Sequence, residues 1–317
     1  MHIEYFLKRV LYIVLILVFV SALIFFLTQV LPGNAAQMIL GEHATPEQVA
    51  ALSARMHLDR PAYVQYADWA LGILKGDWGT SFSIGQPVLG LALTALGRSA
   101  LLGIVALVLV TLVAIPLGVI AAARRAGPID VGVSVTSYIG VALPEFVTAT
   151  LLLVLFARPE LGLFPAGGYK AISEGGFWAF ASHLILPAIT LTIVMTAHIS
   201  RQTRSEMVEV LESDYVRTAR LKGLSNRAVL WRHALPNSLL PTITIIALDV
   251  GYLIGGILVV EEVFAYPGIG RLMVLAIQNR DLPLIQCIAL LMSAIYAFAN
   301  LAADLSYAWL DKRIQYE

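Results

Sequence analysis

The sequence predicts an all-α polytopic membrane protein with six transmembrane helices, a helical outside cap after the first span, and a cytoplasmic helix pair between spans four and five. The first observation behind this prediction is composition: 59% of the 317 residues are hydrophobic and 13% are charged, whereas roughly 25% are charged in soluble domains. A soluble chain of this length would form two domains, and so few polar residues could not cover both. The second observation is that the apolar residues are collected into long runs.

Charge and cysteine content exclude several classes of function. The 21 basic and 21 acidic residues cancel, so no net positive charge indicates a nucleic-acid partner. The single cysteine, Cys287, excludes an internal disulfide framework and a multi-cysteine metal site. We therefore expect neither a nucleic-acid partner nor a bound metal.

Six apolar runs are long enough to cross the hydrocarbon layer, which takes about 20 helical residues. The first follows Lys8 and Arg9 as in a signal peptide, but its 21 uncharged residues exceed the roughly 7–15 apolar residues of such a peptide. We expect it to be an uncleaved anchor. The predicted spans are Val10–Val30, Ser99–Ala123, Val131–Ala157, Phe177–Ser200, Ser238–Val260 and Pro283–Leu310.

The distribution of Lys and Arg predicts that both termini are cytoplasmic, because cytoplasmic loops of membrane proteins are enriched in these residues. An even number of spans places both termini on one side. With the termini inside, the cytoplasmic segments hold 13 of the 21 basic residues. These segments are 1–9, 124–130, 201–237 and 311–317.

The predicted domain organisation is an anchor helix at 1–31, an outside cap at 32–98, and a five-helix core at 99–317. In the cap, Thr45-Pro46-Glu47-Gln48 is typical of a helix start with a capping box, and that helix is expected to reach about His57. A second helix is expected from near Pro61 to Gly76, with an apolar stripe formed by Tyr66, Trp69, Ala70, Ile73 and Leu74. Packing on the membrane surface and handling of a substrate both remain open for this cap.

The cytoplasmic segment 201–237 is the long polar segment on which a partner could bind. Helical periodicity runs from Met207 to Thr218, Gly223 predicts a left-handed stop, and Ser225 can cap a second short helix that ends before Pro236. Such a helix pair between two spans can transmit force. It lacks the third helix and the exposed basic stripe that DNA-groove binding needs.

This segment resembles the coupling loop of permease subunits in bacterial dipeptide/oligopeptide-type ABC importers, that is, binding-protein-dependent transport systems. The loop pattern of that family is Glu-Ala-Ala, three residues, Gly, nine residues, Ile, any residue, Leu-Pro. Here Gly223 is followed by nine residues and then by His233-Ala234-Leu235-Pro236, while Arg217, Thr218 and Ala219 occupy the Glu-Ala-Ala positions. The stretch from Asp214 to Leu224 is similar to Asp-Tyr-Val-Arg-Thr-Ala-Arg-Ala-Lys-Gly-Leu of the peptide branch.

The resemblance implies a set of partners. A second homologous permease subunit would complete the path, two cytosolic ATPase subunits would bind ATP and Mg, and an external solute-binding protein would deliver the substrate. That substrate is expected to be a di- or oligopeptide, although similar permeases also move chelated nickel, glutathione and some oligosaccharides. This chain is expected to be a non-catalytic subunit without a cofactor, since its sequence lacks a G-x-x-x-x-G-K-[ST] phosphate loop.

The resemblance also assigns the contact with the ATPases to the loop. Gly223 is expected to provide the turn, Ala219 to permit close approach, and the charged pair of Asp214 and Arg217 to orient the loop. The full set of predicted coupling residues is Asp214, Arg217, Ala219, Gly223, Leu235 and Pro236.

Two acidic residues lie near the middle of predicted spans: Glu145 after Pro144 in the third, and Asp249 in the fifth. Such groups are costly in lipid and usually face the bundle interior or a water-filled path. One hypothesis is that both line the translocation path and contact amine or amide groups of a peptide. The alternative is that each bonds to a neighbouring helix or to a backbone group freed at Pro144.

Two alternative functions account for less of the sequence. A stand-alone ion- or proton-coupled carrier would use Glu145 and Asp249 but would leave the loop spacing unexplained. An intramembrane hydrolase would need a nucleophile and a base in an assembled pattern, which the sequence lacks. His183 and His198 match no metal-ligand spacing, and we expect them to be interfacial or packing residues.

Overall fold

The structure is a computed structural model that describes residues 3–30, 40, 44–55, 59–158 and 160–310. Over these residues the secondary structure is helical, apart from an isolated β-bridge between Thr80 and Pro87. The helices are α1 (Ile3–Val30), α2 (Pro46–Arg55), α3 (Ala62–Leu74), α4 (Val88–Ala123), α5 (Pro128–Ala142), α6 (Glu145–Phe156), α7 (Ile172–Leu211), α8 (Asp214–Leu221), α9 (Asn226–Ala228), a π-helix (Val229–Ala234), α10 (Leu235–Val263), α11 (Ile269–Gln278) and α12 (Leu282–Leu310).

Four described helices are long and apolar enough to cross a membrane, or five if the bent pair α5–α6 counts as one span. The four are α1 over Leu7–Thr28, α4, α7, and α12 over Leu282–Ala302. The fifth predicted span, Ser238–Val260, lies within the 29-residue helix α10, several of whose side chains are outside the described set. The protein is therefore an all-helical polytopic membrane protein, while six spans and cytoplasmic termini stay predictions. The predicted tail segment 311–317 lies outside the described residues.

The third predicted span, Val131–Ala157, was wrong as a single helix. The chain breaks at Leu143 and Pro144, and α5 and α6 meet at 104°. Proline disfavours helical backbone in the residue before it, and Leu143 accordingly has extended dihedral angles, φ −84° and ψ 124°. Glu145 therefore begins α6, at the break of the bent pair, instead of lying within one continuous helix.

The helix starts predicted for the cap are confirmed, and the predicted apolar stripe is covered over only part of its length. The Thr45 Oγ1 accepts a bond from the Gln48 amide at 3.3 Å, and the Gln48 side chain accepts one from the Thr45 amide at 3.0 Å, which is the reciprocal capping box. Helix α3 ends before Gly76, whose φ of +88° is the left-handed stop. Leu74 is 84% exposed, so it does not belong to a buried stripe. His57 lies outside the described residues.

The chain divides into two compact units. The first comprises residues 1–99 and 267–298, and the second comprises 100–266 and 299–317. In the first unit, buried side chains of α4, α11 and α12 form the core, among them Val88, Ile269, Leu284 and Ile288. In the second, buried side chains of α4, α6, α7 and α10 form a larger core, among them Leu102, Ala149, Leu186 and Val260.

Small residues let helices of the second unit approach α7 closely. A Cβ placed on Gly118 of α4 would lie 2.6 Å from the Thr203 Cβ and 2.7 Å from the Ser200 carbonyl oxygen of α7. On the α5 side, the hydroxyl oxygens of Ser137 and Ser200 lie 3.2 Å apart. Helix α7, which leads into the predicted coupling loop, is therefore held closely by both neighbours.

Candidate functional site: a cytoplasmic loop and a polar cluster

The predicted coupling loop begins with a helix break that the sequence periodicity did not show. A continuous helix from Met207 to Thr218 was expected, but α7 ends at Leu211 and α8 begins at Asp214. At the break, Ser213 has extended backbone with ψ 152°, and its hydroxyl donates to the Val210 carbonyl at 2.6 Å. Serine competes with helical backbone through such local bonds, so the chain turns here.

The end of α8 is closed by Gly223, as predicted. Its φ is +80°, a conformation that costs a residue with a Cβ roughly 1–2 kcal/mol. The Gly223 amide donates to the Arg220 carbonyl at 2.9 Å, and the Leu224 amide donates to the Ala219 carbonyl at 3.3 Å. These two bonds form a Schellman motif, which turns the chain sharply into the next helix.

The second loop helix starts as predicted but ends differently. The Ser225 side chain accepts a bond from the Ala228 amide at 3.3 Å, which confirms the cap. The expected stop before Pro236 was wrong, because the helix passes through the π-helix directly into α10. Pro236 lies directly after the π-helix, in the first turn of α10.

The loop has a buried core of its own. Val216, Ala219 and Val229 are at most 7% exposed and pack together. Ala219 thus packs inside the loop. Leu235 is partly buried against a neighbouring cluster that contains Met207 and Ala234. Two of the six predicted coupling residues therefore support the loop from within.

The other four predicted coupling residues, Asp214, Arg217, Gly223 and Pro236, are exposed. The structure adds large apolar side chains on the loop surface that sequence reasoning missed. They are Tyr215 at 44%, Leu221 at 81%, Leu224 at 39% and Trp231 at 43% exposed. The signal was available in part, since burial of Val216 and Ala219 on one face of an amphipathic helix turns Tyr215 and Leu221 outward.

Two ion pairs brace the helices that hold the loop. Asp130 of α5 is 4% exposed and accepts bonds from the Arg204 Nε and, at 2.7 Å, from the Arg204 Nη2. The same carboxylate accepts a bond from the Ala126 amide at 2.9 Å. Arg125 pairs with Glu212 at the end of α7. A bidentate, buried arginine–carboxylate pair is strong and directional, so it fixes α5 against the part of α7 that leads to the loop.

A second group of polar side chains lies among α6, α7 and α10. The Glu145 carboxylate lies directly against the backbone of α10 at Gly256: a Cβ on that glycine would lie 2.8 Å from Oε2 and 2.9 Å from Cδ of Glu145. Only glycine leaves room for the carboxylate at this position. We call Glu145, His198, Asp249 and Tyr252 the polar cluster.

The remaining members of the polar cluster lie on α7 and α10. The ring of His198 stacks on the ring of Tyr252, with centroids 5.9 Å apart and planes at 28°. Tyr252 lies within electrostatic range of both Glu145 and Asp249, and Asp249 within range of His198. The structure therefore brings the two predicted path residues into one neighbourhood and adds His198 and Tyr252. The sequence analysis had treated His198 as a packing residue.

Three buried side-chain oxygen atoms of the described residues have no hydrogen-bond partner in this part of the chain: Asp249 Oδ2, Thr148 Oγ1 and Thr196 Oγ1. Buried polar atoms are nearly always paired, so unpaired ones need an explanation. His183 is different, because its Nδ1 lies 2.7 Å from the Ala179 carbonyl oxygen one turn away, as expected for a packing histidine.

Apolar helices of membrane-spanning length, together with a closed loop that carries exposed apolar side chains, define a membrane protein of the polytopic helical class. The chain belongs to the family described as "Binding-protein-dependent transport system inner membrane component", which matches residues 114–316. The N-terminal part of the same kind of component matches residues 2–116. The protein is accordingly a multi-pass inner-membrane component of binding-protein-dependent transport.

Named transport permeases align along nearly the whole chain. The probable peptide ABC transporter permease protein y4tP of Sinorhizobium fredii is 40% identical over 312 residues, covering 98% of this chain and 99% of the relative. The oligopeptide transport system permease protein AppB of Bacillus subtilis is 37% identical, with 98% and 99% covered. The probable D,D-dipeptide transport system permease protein DdpB of Escherichia coli is 35% identical, with 95% and 94% covered.

A solved structure shares the fold. The crystal structure of an amino acid ABC transporter with histidines matches with a TM-score of 0.52 at 14% sequence identity, covering 70% of this chain and 94% of that chain. These comparisons support the transport-subunit interpretation over a stand-alone carrier.

Proposed function

We propose that this chain is the permease subunit of an ABC importer for di- or oligopeptides. It forms half of the translocation path with a second permease subunit, receives peptide from an external binding protein, and is driven by two cytosolic ATPase subunits that hold ATP and Mg. The observation that carries this proposal is the loop of residues 212–234. It is closed by its own hydrogen bonds and core, yet it shows Tyr215, Leu221, Leu224 and Trp231 beside basic side chains.

The arrangement of the loop supports its role in coupling. Exposed apolar side chains on a rigid surface are typical of a protein-binding site, and here they project from a helix pair that is continuous with α10. The Asp130–Arg204 and Arg125–Glu212 pairs hold α7 to the start of α5. A push on the loop would therefore move α5, α7 and α10 together instead of deforming the loop. In this proposal the loop and both termini are cytoplasmic, and the chain crosses the membrane six times.

The test is co-purification and transport with loop variants. Leu221→Asp places a charge on a side chain that is 81% exposed, so it should leave the fold intact while reducing recovery of ATPase subunits and peptide uptake at least about tenfold, or about 1.4 kcal/mol of docking energy. Thr218→Ser on the same helix is the matched control and should behave as wild type. Normal recovery and uptake with Leu221→Asp would contradict the proposed docking surface.

We also propose that the polar cluster faces the translocation path and binds the protonated amine or amide groups of a passing peptide. Support comes from the unpaired Asp249 oxygen and from the placement of two carboxyl groups beside a tyrosine and a histidine among apolar helices. The alternative, in which these groups only bond neighbouring helices, is weakened because Asp249 Oδ2 has no such bond among the described residues.

A comparison of two peptide substrates distinguishes a path role of Asp249 from a packing role. Asp249→Asn keeps the side-chain volume and removes the charge. We expect it to raise the KM for a peptide with a free N-terminal amine while leaving the KM for an N-acetylated peptide of the same sequence unchanged. Equal effects on both peptides, with normal assembly, would assign Asp249 to packing.

A further inference from the structure

Helix α3, in the predicted outside cap, is attached to α1 by aromatic stacking and a hydrogen bond. The ring of Phe25 lies 5.6 Å from the rings of both Tyr66 and Trp69, between centroids. The hydroxyl oxygens of Ser21 and Tyr66 lie 2.8 Å apart. The side of α3 that carries Tyr66 and Trp69 is therefore fixed to α1.

The position of Ser21 sets the depth of this contact. The apolar run of α1 covers Leu7–Thr28, or 22 residues, which at about 1.5 Å per residue equals roughly 33 Å, the thickness of the hydrocarbon layer. Ser21 lies seven residues before Thr28, about 10 Å inside the end of that run. Phe25 lies three residues before it, about 4–5 Å inside. With this run spanning the hydrocarbon layer, the contacts that Tyr66 and Trp69 make with α1 lie about 4–10 Å inside its end.

A second side of α3 is apolar and uncovered. Tyr63, Ala67, Leu71 and Leu74 follow one another at helical spacing and form what we call the outer face of α3. Tyr63 is 70%, Leu71 53% and Leu74 84% exposed. The helix therefore has one apolar side bound to α1 and an adjacent apolar side that is bare.

The polar side chains of α3 are gathered on the opposite side. Asp68 pairs with Arg60 at 3.3 Å, and the Gln65 side-chain amide donates to the Arg60 carbonyl at 2.8 Å. A helix with a wide apolar sector and a narrow polar one, at the level of a membrane boundary, has the pattern of an interfacial helix. Tyr and Trp are the side chains enriched at that boundary.

We infer that α3 is an interfacial helix whose outer face binds the acyl chains of the lipid leaflet at the C-terminal end of α1. Lipid is the occupant because uncovered apolar surface of α1 adjoins α3: the Phe26 ring is 43% exposed and stacks on Tyr66 with centroids 6.1 Å apart. The Ser21–Tyr66 bond places this contact about 10 Å inside the apolar run of α1. This inference concerns the cap and does not depend on which solute is transported.

The test measures the surroundings of the outer face in the assembled transporter. The native Cys287 is buried and is replaced by alanine. A nitroxide is then attached at Leu71→Cys or at Leu74→Cys, with Asp68→Cys as the control on the polar side, and the complete transporter is reconstituted in phosphatidylcholine/phosphatidylglycerol vesicles. Collision rates with oxygen, which concentrates in lipid, and with a water-soluble nickel chelate are measured by electron paramagnetic resonance.

Lipid contact predicts a ratio of oxygen to nickel collisions at least about fivefold larger at Leu71 and Leu74 than at Asp68. Equal ratios at the three sites would place the outer face in water and overturn the inference. Protection of Leu71 and Leu74 from both reagents would also overturn it, since another protein chain would then cover this face. Because Leu71 and Leu74 are labelled separately, one site still gives the ratio if the variant at the other assembles poorly.

Discussion

The loop of residues 212–234 and the polar cluster are built in opposite ways. In the loop, the bonds that shape the chain join residues at most five positions apart, such as Ser213 to Val210 and Leu224 to Ala219. In the polar cluster, Glu145, His198 and Tyr252 come from three different helices. Helix α7 carries His198 in its middle and leads to the loop at its end. The shape of the loop can therefore be specified by local sequence. The polar cluster, in contrast, depends on how three helices pack.

Removal of the ion pair between α5 and α7 should affect both regions at once, and we expect the largest effect here. Asp130→Ala leaves Arg204 without its buried partner, and breaking a buried pair costs about 3–5 kcal/mol. Because Arg204 is 30% exposed, water can partly replace the partner, and we expect a loss of about 2–3 kcal/mol in the free energy of unfolding. Chemical unfolding of the wild type and the variant in detergent measures this loss of free energy.

The matched control is the double variant Asp130→Ala/Arg204→Ala. Because it leaves no uncompensated charge, it should lose less than the sum of the two single variants. Strictly additive losses would show that the pair contributes nothing by pairing.

A methyl group at Gly256 should break the polar cluster without touching the loop. In Gly256→Ala the new Cβ would lie 2.8 Å from Glu145 Oε2, so the carboxylate, at the end of a flexible side chain, has to move away while the fold stays intact. Peptide uptake should fall while ATPase subunits are still recovered. Gly255→Ala is the control, because a Cβ there meets nothing within 4 Å. If both variants transport equally, the close approach of Glu145 has no role.

Replacement of the turn glycine should break the loop without touching the cluster. Gly223→Val forces a β-branched residue to φ +80°, which costs at least about 1–2 kcal/mol. The expected result is a roughly tenfold loss of ATPase recovery, the equivalent of about 1.4 kcal/mol. Gly223→Asn should retain most of the recovery, since asparagine tolerates the left-handed region. If Gly223→Val recovered as much ATPase as the wild type, the left-handed turn at residue 223 would not be needed for ATPase binding.

The smallest effect concerns a contact between two distant segments of the first unit, and it extends the comparison to that unit. Burial raises the pKa of the Asp281 carboxyl, but bonds from Ser81 and Ser83 lower it more, and the net pKa lies below its ordinary value of 3.8. A depressed pKa gives stability that is present above the unfolded value and lost as pH falls through the folded one. The protection factors of the amides in residues 81–85, which are corrected for the pH dependence of intrinsic exchange, should therefore fall below about pH 4.

In Asp281→Asn this loss of amide protection at low pH should disappear. Asp77→Asn is the control in the same segment, because Asp77 is exposed and accepts one bond from the Gly79 amide at 3.0 Å. An unchanged acid transition in Asp281→Asn would assign the transition to another carboxyl.

The coupling loop was largely predictable because its signals are local. The spacing around Gly223 and the cap at Ser225 follow from backbone preferences of single residues. The prediction was wrong at two places, at Ser213 and before Pro236. At each of them one residue is compatible with either a continued or an ended helix, and tertiary packing determines which forms. The exposed Tyr215 and Trp231 needed knowledge of which face of each helix is buried.

The polar cluster was predictable only in its two carboxyl groups, because an acidic residue in an apolar run stands out in any sequence. His198 and Tyr252 carry no such signal, and their stacking depends on the register of α7 against α10. The bend at Pro144 was similarly open, since a proline in a membrane helix can kink it or break it.

Sequence alone determined the membrane environment, the family resemblance and the closed loop, because hydropathy and turn chemistry act over a few neighbouring residues. Only the tertiary structure decided that Glu145 lies against Gly256, that Asp130 meets Arg204, and that Tyr66 reaches Ser21. Each of these contacts joins residues at least 45 positions apart. Their formation depends on helix packing, which no local pattern specifies.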